Sequence, residues 1–330
     1  MNFEGTSPAP ADRLLSEALQ LTPEQTAQVQ RMLAGLDRTA PEFWDPDNGK
    51  HIMVPVDDAE IRVIHLRPER PETARPVVFI PGWGVVPEGF QEFYSALHGK
   101  VELYYVETRE KASSRILSRP VDMSVSQSAR DIQAAMDAVG LREQDDFVLV
   151  GSCWGSAIIL QGLIEGVIRA PTIVAIDPMH TLWFPKWLLR YVSPVTPVFV
   201  TGLLKPLLRR SLIGDMKEKS QKRRIDLFID AADIWKWKKS ADAAVDFELF
   251  DNLRGINQEV FVFNGTTDKV HDQKDYPRMA RELPKGRFLY LEADESERER
   301  LMALAALEFS RVSAGEGLPA TLKTFEKPVR

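Results

Sequence analysis

Phe147-Val148-Leu149-Val150-Gly151-Ser152-Cys153-Trp154-Gly155-Ser156 is the stretch from which the rest of this 330-residue chain can be read. Its four apolar residues suit a strand buried on both faces, and the run Ala157 to Ile168 suits a helix directly behind it. Between them, Gly151, Gly155 and Ser156 leave room for a sharp strand-to-helix turn with Cys153 at its apex. The first amides of that helix would then point at residue 153. A lone cysteine after an apolar strand is more commonly a small buried hydrophobe. Two glycines and a serine around it fit a strained turn better than a core strand.

Working outward, five further apolar runs have the same character: Val77 to Ile80, Val101 to Val106, Thr172 to Ile176, Glu259 to Phe263 and Arg287 to Leu291. Bounded by Gly, Pro and Asp and separated by helical stretches, they predict an α/β fold with a mostly parallel central sheet covered on both faces. Ile52 to Val56 and Ile61 to Leu66, joined through Asp57-Asp58-Ala59-Glu60, predict a leading hairpin. Ahead of it, Thr22-Pro23-Glu24-Gln25 has the form of a capping box opening a helix that Gly35 ends. Residues 12–20 also read as helical, and 1–11 as an arm. The expected organisation is an N-terminal extension over 1–50, a core formed by 51–177 and 251–313, a helical cap inserted at 178–250, and a C-terminal tail over 314–330.

Lys+Arg 42 against Asp+Glu 48 gives a net charge of −6, which argues against a nucleic-acid partner. The insertion carries 13 Lys/Arg and 8 Asp/Glu, so its net +5 sits beside −11 on the remainder. One cysteine forbids an internal disulfide and leaves too few thiolates for a Cys-rich zinc site, so no metal or cofactor is expected. A reducing, cytoplasmic setting is the simplest expectation, since the N-terminus lacks the basic start and apolar run of a secretory signal. The charge-free run Phe147 to Ile164 is too polar to span a bilayer, and Tyr191 to Leu204 is shorter and interrupted by Pro194 and Pro197.

The turn Gly151-Ser152-Cys153-Trp154-Gly155 resembles the nucleophile elbow of the α/β-hydrolase family, and the resemblance covers about 50–312. Pro81-Gly82-Trp83-Gly84 is similar to the family's His-Gly turn, which implies an oxyanion hole made by the backbone amides of Trp83 and Trp154. Thr108 to Ser114 looks like a worn form of the Arg-Gly-His-Gly-x-Ser loop. Asn264-Gly265-Thr266-Thr267-Asp268 matches the loop carrying the family's acid, which makes Asp268 the acid candidate; an ordinary turn residue is the alternative. Cysteine in place of serine is similar to the dienelactone hydrolases and the polyhydroxyalkanoate synthases. The resemblance thus implies a hydrolase or acyltransferase acting on an ester, thioester or lactone with an apolar part. A catalytically degenerate relative that binds a hydrophobic ligand or a protein partner is the alternative.

One departure matters. The family's histidine should follow the last strand, and that stretch reads Glu292-Ala293-Asp294-Glu295-Ser296, with Glu295 near its place. A carboxylate cannot relay protons as a neutral imidazole does near pH 7 unless its pKa is raised considerably. His271, three residues after Asp268, and His180, three after Asp177, are the imidazoles that could reach the carboxyl ends of the strands. His51, His65 and His98 lie on the hairpin or at a helix end. Gly82-x-Gly84 with Gly89 invites a dinucleotide site, but Pro87 stands where the third glycine belongs.

In the insertion, Leu182 to Leu189 and Leu203 to Leu208 combine apolar bulk with interspersed cations. Cap helices packed on the core, an acyl pocket and a peripheral membrane contact are the three readings. Lys217 to Arg224, Trp235 to Lys239 and Glu295 to Arg300 read as solvated faces. The first two could also attract an anionic handle such as a carboxylate or a coenzyme A phosphate on the acyl substrate.

Overall fold

The computed structural model describes residues 17–141, 146–182, 184–214, 216, 218–264 and 272–330. Thr22 caps the helix Pro23–Ala34 as its sequence predicts: its hydroxyl accepts from the Gln25 amide at 3.2 Å, and Gln25 Oε1 accepts from the Thr22 amide at 3.0 Å. Strands β1 (Lys50–Val56) and β2 (Ala59–Leu66) form the expected hairpin, with a turn of only Asp57-Asp58 and pairing in register from Val56↔Ala59 to Lys50↔His65. The ladder extends two residues beyond the apolar run at both ends of the pair.

There follow β3 (Val77–Ile80), β4 (Leu103–Val106), the short β5 (Arg115–Ile116), β6 (Val148–Ser152), β7 (Thr172–Ile176), β8 (Val260–Phe263), β9 (Gly286–Leu289) and β10 (Glu326–Lys327). Among the described residues the sheet runs β1-β2-β4-β3-β6-β7-β8-β9-β10, with β5 on β2. Pairing is parallel from β4 through β9 and antiparallel at both margins. Every side chain of β3, β4, β6, β7 and β8 is buried, which explains why these strands read as unbroken apolar runs.

Two cores result, one on each face. Helices Val125–Ala138 and Trp154–Ile164 cover one face, while Gln91–Leu97 and Arg298–Ser310 cover the other. The insertion between β7 and β8 is helical, as expected, with Val198–Leu203, Lys205–Ile213, Lys219–Asp230 and Ile234–Ala243 as its main elements. Two expectations fail here. Residues 314–330 are no loose tail: Leu322 and Phe325 are fully buried, and β10 adds an edge strand to β9. Nor is 295–300 a solvated face, because Arg298, Glu299 and Arg300 are buried. Charge alone suggested solvent, but each has ionic partners from a distant part of the chain: Asp177, Arg224 and Glu92 respectively.

Candidate active site

Cys153 stands between β6 and the helix Trp154–Ile164 with φ 55° and ψ −115°, a left-handed conformation for a residue with a side chain. Holding it there costs on the order of 1–3 kcal/mol, which the surroundings must supply. Its amide donates to Ile176 O at 2.9 Å, tying the apex to the end of β7. The small neighbours have specific reasons to be small. A Cβ on Gly155 would lie 2.2 Å from Ile80 O, and one on Gly151 would lie 2.7 Å from the Ser156 backbone. The Ser156 hydroxyl is itself spent on Ile176 O at 3.0 Å.

The Pro81–Gly84 turn lies against the cysteine: a Cβ on Gly82 would sit 3.3 Å from Cys153 Cβ and 3.7 Å from Sγ. Among the described residues, neither the Trp83 nor the Trp154 amide donates to a backbone group outside its own helix or strand. The turn is clamped on both sides of Trp83. Glu110 accepts from the Gly84 amide at 3.1 Å, and Lys111 Nζ donates to Gly82 O and to Glu110 Oε1. Burial pushes the Glu110 carboxyl up, but the Lys111 ammonium and hydrogen bonds from Thr108 and Gly84 outweigh it and hold the group below the usual carboxylate range. Arg109, also buried, is bound by Asp131 and Asp58. The worn loop is thus a paired ionic cluster under the Pro81–Gly84 turn.

The insertion closes over this cluster. Lys236 Nζ donates to the carbonyls of Lys111 (2.9 Å) and Ser114 (2.7 Å), and Trp83 Nε1 donates to Ser240 Oγ at 3.1 Å. Burial lowers the Lys236 pKa. Residues 235–239 are therefore no solvated face, since Lys236 and Trp237 are buried. Likewise within 217–224, Gln221 is buried and Arg224 is bound to Glu299. The Trp237 ring packs at a tilt against Trp83, with centroids 4.5 Å apart, and against Phe228 at 4.4 Å. Beyond them lies an apolar cavity of about 380 Å3, lined among others by Trp83, Phe184, Leu189, Leu204, Leu208 and Trp237. A larger cleft of about 690 Å3 opens near Phe147 and Pro171, at the amino ends of β6 and β7 and away from Cys153.

The expected base is where the structure departs most from the sequence reading. Both ring nitrogens of His180 are committed to carboxylates, Nδ1 to Glu248 at 2.9 Å and Nε2 to Asp275 at 3.2 Å. The bond to Asp275 and the second carboxylate, Glu248, outweigh desolvation and raise its pKa. Both nitrogens of the expected base His180 are thus turned to carboxylates. His271 and Asp268 lie outside the described residues. His51 and His65 sit on β1 and β2, and His98 is bonded to Tyr94, as their sequence positions imply. Glu295 is exposed in the segment after β9.

Sequence reasoning missed a different pair. Asp177 follows β7 with φ 45° and is fully buried, and Arg298 Nη2 donates to its Oδ2 at 3.0 Å from the helix after β9. A guanidinium does not deprotonate in proteins, so this pair cannot exchange protons as an acid and an imidazole would. An aspartate directly between a buried strand and Pro178 was the available signal. Met179 follows, and Cys153 Sγ lies 3.2 Å from its Sδ.

Comparisons with known proteins agree with this architecture. A model of the alpha/beta hydrolase family matches residues 77–296. No curated protein matches the sequence. Among solved structures, a thermophilic esterase from Thermogutta terrifontis is similar at 18% identity and TM-score 0.55, covering 74% of this chain and 89% of that one. A hydrolase from Pseudomonas aeruginosa is similar at 14% identity and TM-score 0.60, covering 79% and 98%. An esterase from Exiguobacterium antarcticum is similar at 17% identity and TM-score 0.59, covering 77% and 96%.

Proposed function

The chain belongs to the α/β-hydrolase family, and from that membership we propose that it hydrolyses or transfers the acyl group of an ester, thioester or lactone with a sizeable apolar part. The strained elbow supports this reading above all, since φ 55° at Cys153 is retained at a cost and places the sulfur beside the Gly82 turn. Cys153 Sγ attacks the carbonyl carbon, and the amides of Trp83 and Trp154 receive the oxyanion. Collapse of that intermediate expels the alkoxide or thiolate, which takes up the proton given by the thiol. Water or an acceptor alcohol then attacks the acyl thioester and regenerates Cys153. On the sequence resemblance, His271 is the candidate for proton transfer and Asp268 the candidate acid. The helical insertion acts as the cap, and its cavity of about 380 Å3 takes the apolar acyl part.

The test is incubation with p-nitrophenyl esters of graded chain length. The expected result is Cys153-dependent release of p-nitrophenol and a covalent adduct with the mass of the acyl group. Cys153→Ala should lower turnover by at least about a thousandfold. Absence of both adduct and turnover would overturn the reading. A second reading, a catalytically degenerate relative that binds an acyl ligand or a protein partner, is favoured by the Asp177–Arg298 pair and the engaged His180. Saturable binding of a fatty acid without turnover of any ester would select it.

A further inference from the structure

Among the described residues, nine of the ten exposed large apolar side chains lie between Trp187 and Leu207. Trp187, Tyr191, Val195, Phe199, Leu203 and Leu207 are between 62% and 79% exposed, on a chain whose other helices bury theirs. From 178 to 214 the sequence holds no Asp or Glu and five Lys/Arg, of which Arg190 pairs with Asp246 and Arg209 with Asp226 and Asp230, while Lys186 and Arg210 are exposed. No single described helix is long and apolar enough to cross a membrane; Leu188–Val195 and Val198–Ile213 have the composition only together, and they are bent by 115°. At 1.5 Å per residue the two pieces reach roughly 12 and 24 Å, short of a bilayer core of about 30 Å. Such a bent, cationic, apolar pair is shaped to lie in an interface.

We propose that residues 187–207 dock this protein on the surface of a bilayer containing anionic lipid, with Tyr191, Phe199 and Leu203 entering the acyl boundary and the exposed Lys186 and Arg210 facing headgroup phosphates. Charge selects this occupant. A second copy presenting the same face would bring the exposed Lys186 and Arg210 of both chains together with no carboxylate from residues 178–214 of either, whereas an anionic surface complements both the charge and the apolar side chains. The same helices serve two sides, since Leu204, Leu207 and Leu208 also line the internal cavity. A lipid chain leaving the bilayer would therefore meet a continuous apolar path toward Trp83.

Docking needs no turnover, so it is measured on the native chain and on Cys153→Ala, and its result is read apart from the acyl-transfer reading. The probes are extruded vesicles of phosphatidylcholine alone or mixed with phosphatidylglycerol, with partitioning followed by sedimentation. Binding at least about tenfold stronger to the mixed vesicles is expected. Phe199→Ser with Leu203→Ser should lower it at least about tenfold, with unchanged far-UV circular dichroism because both side chains are exposed. Lys186→Gln with Arg210→Gln should abolish the preference for phosphatidylglycerol. The proposal is overturned if neither vesicle takes up the protein, or if the serine pair binds as well as the native chain. It is equally overturned if analytical ultracentrifugation shows a dimer that the serine pair dissolves while vesicle binding is absent.

Discussion

Cys153 and His180 show how differently single residues reveal themselves. The cysteine's backbone is dictated by its immediate neighbours, because Gly155 must approach Ile80 O and Gly151 must clear Ser156. Those glycines are visible in the sequence at fixed offsets, so the elbow could be read there. His180 was read as a base from its distance to Asp177 along the chain, but Glu248 and Asp275 arrive from elsewhere and hold both nitrogens. Its pKa is raised in the folded state, chiefly by the bond to Asp275, so the stabilisation is fully present below the ordinary value of 6.5 and is lost as pH rises through the raised one. Thermal denaturation across pH should show Tm falling over that window. In His180→Gln that fall should disappear, leaving the rest of the profile in place.

At the scale of elements, the loop Thr108–Ser114 is a support for the Pro81–Gly84 turn. Glu110 and Lys111 grip the residues on either side of Trp83, and Lys236 fastens the helix Ile234–Ala243 to the same loop. None of this could be read from the local pattern. Trp235-Lys236-Trp237-Lys238-Lys239 reads as a solvated face by its charge, and the converging carbonyls of Lys111 and Ser114, with the Asp233 carboxylate, make burial of Lys236 tolerable. Glu110→Gln should remove the charge that compensates buried Lys111, lowering stability by about 3 kcal/mol in denaturant titration. By loosening the turn it should also reduce kcat by about tenfold or more with KM little changed. A fall in stability with kcat preserved would show that the cluster supports the fold and does not position Trp83.

For the whole molecule, the C-terminal segment closes the sheet and the second core. Leu322 and Phe325 are fully buried, and Gln25 of the helix Pro23–Ala34 donates to Thr324 O at 2.5 Å, so that helix is tied to the C-terminal segment beside β10. Truncation after Gly317 removes those two side chains from the core at about 1.5–3 kcal/mol each and leaves β9 an open edge. A large fall in Tm and concentration-dependent aggregation by light scattering are expected; a stable monomer would contradict this role. The sequence by itself determined the layered α/β fold, the order of the central strands along the chain, the helical insertion and the turn at Cys153. Each follows from contacts between near neighbours or from runs that must be buried on both faces. Only the tertiary structure decided that 314–330 joins the sheet, that His180 is taken by two carboxylates, and that Arg298 meets Asp177. These pairings join residues 68 and 121 positions apart in the cases of His180–Glu248 and Asp177–Arg298. Local periodicity carries no information about which distant charge will compensate a buried one.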